Sequence, residues 1–247
     1  MKILLANLVL TGTLLQLPLA VAVIGKRLWR SFPVFTAYSL WNLITATLLY
    51  AVPRLGFSRY AYFCAYWICE GIAVVLGFGV VYEVFKELLG PYAALQRVAT
   101  VTFRWVLAGL VLLALAVAYA RPSGLPPLMA GVEIPEEAAR VVEVGLLVFL
   151  FAFSRAFGLH WRQNIFGVAL GLGVFSSVEL AAVAMHTLLG PAAYQAFAFG
   201  RAISFNISLL IWMGYILAPE RVTSTAALPQ RAQLEQWNQA MMELIHQ

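Results

Sequence analysis

Long apolar runs, interrupted by short polar stretches rich in proline and glycine, organise the chain. Residues 3–24, 33–52, 60–82, 102–120, 136–158, 165–188 and 194–217 are apolar almost throughout. A helix needs about 20 residues to cross roughly 30 Å of hydrocarbon, so the pattern predicts seven membrane-spanning helices. The joints carry residues that end helices: Pro33 and Pro53 flank the second run, Gly90-Pro91 follows the third, and Gly190-Pro191 separates the last two. The one roomy connection is 121–134, with Pro122, Pro126 and Pro127. Pro135 is then expected to open the fifth helix, with Glu136 and Glu137 in its first turn.

The pattern changes after residue 218. Residues 1–218 form the expected transmembrane domain, and 219–247 a cytoplasmic linker and helix. Leu234, Trp237, Met241 and Leu244 recur at spacings of three and four, which places them on one face of an amphipathic helix. That face is expected to dock on a cytoplasmic protein partner or a membrane complex in preference to the inner leaflet.

Composition agrees with this reading. The chain is 62% hydrophobic and 11% charged, with a mean hydropathy of +0.85, against about 25% charged residues in soluble domains. The expectation is an all-α integral membrane protein built as a seven-helix bundle in the lipid bilayer, in a cytoplasmic (inner) membrane of bacterial type. With the N-terminus outside and the C-terminus inside, ten Lys and Arg lie at the cytoplasmic ends of the spans and five outside, among them Arg140. Lys2 and Ala20-Val-Ala22 imitate a signal peptide, but cleavage there would reverse that bias. The net charge of +5 is scattered over span ends and forms no patch, so no nucleic-acid partner is expected. Cys64 and Cys69 are five apart on one helix and face different ways, so no disulfide follows.

Against this apolar background, four polar side chains fall at one depth. Asn42, Glu70, Glu179 and Arg201 lie on spans two, three, six and seven, about 12 to 16 Å from the outer surface at ~1.5 Å per residue. An ionisable group at that depth is costly and marks a partner or a function. On the seventh span Arg201, Ser204, Ser208, Trp212 and Tyr215 share a face, and on the sixth Ser176, Glu179 and His186 share another. Arg201 is expected to pair with Glu179 or Glu70. One arginine against two glutamates leaves a proton or a bound cation to balance the charge.

Named chemistries fail on residue inventory. A retinal protein needs a lysine in its last span, yet the lysines are Lys2, Lys26 and Lys86. The three histidines, His160, His186 and His246, are too far apart along the predicted topology to share a metal. Glu136-Glu137-Ala-Ala-Arg140 and His160-Trp-Arg-Gln-Asn164 lack the spacing and the shared membrane face of a glutamate-type intramembrane protease, and no nucleophile elbow or phosphate loop occurs. No enzyme activity, cofactor or metal is expected.

An offset of 96 residues matches Gly71 with Gly167, Gly77 with Gly173 and Glu83 with Glu179, the pattern of an inverted three-plus-three repeat. The overall plan is similar to the membrane sensing modules that precede bacterial signalling domains, a likeness of architecture that carries no motif. The expected function is a seven-helix sensor or small-ligand-binding protein. Its outward-facing polar cavity would be lined by Asn42, Glu70, Glu179, Arg201, Ser204, Ser208 and His186, and it would act through a cytoplasmic partner. A structural subunit of a larger membrane complex and a proton- or ion-coupled transporter are the alternatives.

Overall fold

Helices satisfy every backbone N–H and C=O within one segment, which is what a chain this apolar requires in a water-free surrounding. The computed structural model describes residues 2–219 apart from Pro53, Phe57, 91–92, 121–126, His160 and 190–193. Leu234, Trp237, Met241 and Leu244 lie outside the described residues, as does the whole tail. Seven α-helices and no strand occur among the described residues: α1 Lys2–Gly25, α2 Pro33–Ala51, α3 Arg59–Leu89, α4 Ala93–Ala120, α5 Pro127–Ala156, α6 Gln163–Leu189 and α7 Tyr194–Leu217. A 3-10 turn, Leu28–Arg30, links α1 to α2.

Five of these helices, α1, α2, α3, α6 and α7, are long and apolar enough to cross a membrane. The apolar part of α4 is shorter, Thr100–Leu113, and α5 carries Arg140 and Glu143 in its middle. Three boundaries differ from the sequence pattern. The third helix continues to Leu89, the fourth starts at Ala93, and the fifth starts at Pro127. Pro127 takes the first-turn position assigned above to Pro135, where a missing N–H costs nothing. Arg140 therefore lies thirteen residues inside α5 and is buried, so it is no longer a loop charge.

The helices close around a shared core. α7 packs on α6 and α1, α1 on α2, α2 on α3, and α4 on α5, while α3 reaches α5 and α6 across the bundle. Leu19, Phe35, Val80, Val84, Leu88, Leu146, Leu150, Leu172 and Leu209 fill the middle. The outside is also apolar: Leu10, Leu14 and Val21 on α1, Ile68 and Val75 on α3, Leu112 on α4 and Leu210 on α7 are exposed. Helices apolar on every side belong in lipid.

Three contacts fix the helices relative to one another. The side chains of Trp212 and Tyr215 occupy the space where Gly171 and Gly167 lack a Cβ, so α6 and α7 approach closely. Trp212 also donates to the Val168 carbonyl at 3.2 Å and meets Phe35 and Tyr38 edge to face. At the start of α2, Val34 and Phe35 donate their N–H groups to the Glu83 carboxylate of α3 at 2.9 and 2.8 Å. A helix N-terminus presents unpaired donors and a positive dipole end, so a neighbouring helix caps it. Lys26 does the converse at the end of α7, donating to the Ile216 carbonyl at 2.6 Å.

Candidate functional site: a buried cluster of five charges

Four helices contribute to a cluster in which α5 presents Arg140 toward α3. Its guanidinium donates to Glu70 Oε1 at 2.7 Å and to Glu143 Oε2, one turn along its own helix, at 3.0 Å. Arg201 of α7 and Glu179 of α6 form a two-point pair, Nε to Oε1 at 2.8 Å and Nη2 to Oε2 at 2.7 Å. The first contact is a hydrogen bond, and the second closes the fork at ion-pair distance outside hydrogen-bond geometry. Glu179 lies close enough to act electrostatically on Arg140 and Glu143, so the two sets form one cluster.

The cluster is dry on one side and open on the other. The side chains of Arg140, Glu143 and Glu179 are 4%, 2% and 2% exposed, whereas those of Glu70 and Arg201 are 21% and 35% exposed. Gly77 of α3 makes the room: a Cβ there would lie 2.8 Å from Glu143 Oε1. The Phe175 ring lies 5.5 Å from the Arg140 guanidinium, a cation–π distance. Tyr38, buried on α2, faces Glu143, Arg140 and Glu70, and Ser176 faces Glu143. Among the described residues, three carboxylates against two guanidiniums give a formal balance of −1 if all five are ionised. In a low-dielectric interior such a surplus attracts a proton or a small cation. Arg140 Nε and Glu143 Oε1 are buried and make no hydrogen bond among the described residues.

The residues singled out from sequence divide between this cluster and other roles. Glu70, Glu179 and Arg201 belong to it, but Glu70 binds Arg140 and only Glu179 binds Arg201. Ser204 is buried and donates back to the Arg201 carbonyl at 2.9 Å, and Ser208 is buried one turn further along the same face. Asn42 donates to the Tyr38 carbonyl and lines a separate cavity between α1, α2 and α7. His186 lies on α6, its side chain outside the described residues. Arg140, Glu143 and Tyr38 escaped the sequence reading. The available signal was Arg140 and Glu143 at a spacing of three just before the apolar run 144–153, an ion pair on one helix face.

The positions matched by the 96-residue offset perform unrelated tasks. Glu83 caps a helix while Glu179 binds an arginine, and Gly77 clears Glu143 while a Cβ at Gly173 would meet only the Phe151 ring, at 4.0 Å, among the described residues. Compared with protein-family models, curated proteins and solved structures, the chain finds no match in any of the three.

Proposed function

We propose that the chain is a non-enzymatic membrane sensor or small-ligand-binding protein of seven spans, with the N-terminus outside, in a bacterial-type inner membrane. It takes a small cation or a proton at the charge cluster and acts through a cytoplasmic partner engaged by the C-terminal helix. The observation that carries this reading is the surplus carboxylate in a cluster whose other side stays accessible through Glu70 and Arg201. A cluster that only held helices together would be favoured by balanced charge, which leaves no buried ion uncompensated.

The test uses the full chain in mild detergent. Ethylammonium at fixed ionic strength is expected to raise the melting temperature saturably, and Glu70→Gln to abolish the rise. Orientation is read by thiol labelling in a cysteine-free background, where Leu55→Cys labels from outside intact cells and Trp29→Cys only after permeabilisation. The reverse labelling order rejects the topology.

One observation favours a second reading, a structural subunit of a larger complex. Trp105 and Leu112 are 75% and 68% exposed on α4, whose apolar part, Thr100–Leu113, is shorter than the five helices long and apolar enough to cross a membrane. Stoichiometric co-purification of another chain, with no response to ethylammonium, would select that reading.

A further inference from the structure

A cavity of about 190 Å³ lies between α1, α2 and α7, on the far side of the Phe205–Phe175 ring pair from the charge cluster. Its unsatisfied groups are two amide oxygens, which can only accept, and one hydroxyl, which can accept or donate. The amide nitrogen of Asn206 donates to the Leu8 and Ala202 carbonyls at 3.1 and 2.7 Å. The Asn42 amide donates to Tyr38 O and the Thr13 hydroxyl to Val9 O. These donors of the lining are therefore occupied by backbone. Three oxygens of the lining, Gln16 Oε1, Thr45 Oγ1 and Asn206 Oδ1, are buried and have no hydrogen-bond partner among the described residues. Gln16 is itself 3% exposed.

The orientation of the Asn206 amide follows from its two donated bonds, which leave its oxygen turned toward Gly12. A Cβ at Gly12 would meet that oxygen at 3.5 Å and the Phe205 ring at 3.4 Å, so the glycine helps to keep the space open. Gln16 stands one turn along the same face of α1. A buried acceptor without a donor carries a desolvation cost that a matching ligand removes.

We propose that this cavity is a binding site for a neutral, ring-sized molecule bearing a hydroxyl or N–H donor, entering from the bilayer. Among the described residues no carboxylate lines the space, so a cation entering it would have no counter-charge there. The apolar remainder, Leu8, Val9, Ala46 and Phe205, suits a hydrocarbon or aromatic body. A cavity of about 150 Å³ accommodates benzene, so this one takes a single substituted ring. Val9, at its edge, is 55% exposed on the lipid-facing side of α1, which places the entrance in the hydrocarbon layer where such solutes concentrate.

The two isosteric probes 4-fluorophenol and 4-fluorotoluene differ only in the donor, and ¹⁹F NMR of each with the full chain in detergent measures binding directly. The phenol is expected to bind saturably and at least tenfold more tightly than the toluene. Gln16→Leu and Thr45→Val, each of similar volume to the native residue, should weaken the phenol at least fivefold and leave the toluene unchanged. Equal affinity for the two probes in the native chain, or saturable binding by neither, overturns the proposal without recourse to any variant. Phenol binding that survives both substitutions overturns it as well. Loss of the ethylammonium response has no bearing on this result, because no charged residue lines the cavity.

Discussion

Arg140 of α5 reaches Glu70 of α3 at 2.7 Å, joining two helices that the sequence places far apart and giving Glu70 a partner other than Arg201. The same guanidinium holds Glu143, so one cation serves two buried carboxylates. Arg140→Leu is expected to destabilise the protein by about 3–5 kcal/mol, because it leaves both acids without a counter-charge. Glu70→Gln should cost less, since Arg140 keeps Glu143. Reversible thermal unfolding in detergent checks the order, and a smaller loss for Arg140→Leu than for Glu70→Gln would contradict it.

The Glu179–Arg201 pair is open to a double-mutant cycle. Each single replacement, Glu179→Gln or Arg201→Leu, is expected to be more harmful than its share of the double change, with a coupling of about 1–3 kcal/mol. An additive cycle would mean that the fork geometry carries no stability of its own.

Removal of the cap on α2 has a local signature. Glu83→Ala leaves the N–H groups of Val34 and Phe35 without their acceptor and is expected to cost about 1–2 kcal/mol. Glu83→Gln retains an acceptor oxygen and should recover part of that. Amide hydrogen exchange at residues 34 and 35 is the direct readout: faster exchange is expected in the alanine variant, and unchanged protection would show that the cap is dispensable.

Two glycines in similar apolar text should respond oppositely to alanine. Gly171→Ala drives a methyl into the Trp212 indole and should cost about 1–3 kcal/mol. Nothing lies within 4 Å of a Cβ at Gly71, so Gly71→Ala should be neutral or stabilising by up to about 1 kcal/mol through helix propensity. Melting temperatures of the two variants give the comparison, and equal effects would refute the packing role of Gly171.

The all-helical class was legible because hydrophobic run length is a local property, and so were Glu70, Glu179 and Arg201, which stand alone in apolar surroundings. Arg140 and Glu143 were not. Pro135 carries a helix-start signal, and reading the helix from there places Arg140 near a membrane surface; starting the helix at Pro127 carries it inward. Glu83 was visible as an acid but not as a cap, because its partners are backbone donors on another helix and no side-chain pattern encodes them. The cavity between α1, α2 and α7 was equally hidden. Gln16 is a lone amide in an apolar run, and its burial beside Asn206 depends on how α1 leans on α7.

Trp212 has a mechanical consequence. Its indole occupies the notch at Gly171, bonds to the backbone of α6 and abuts two aromatic rings of α2. It acts as a key set into two neighbouring shafts. Spinning α7 about its own axis would shear that key out of both, whereas a common tilt leaves it seated. Helices two, six and seven are thereby geared together, and a displacement imposed on the Arg201 end of α7 is shared by all three instead of being dissipated as rotation of one.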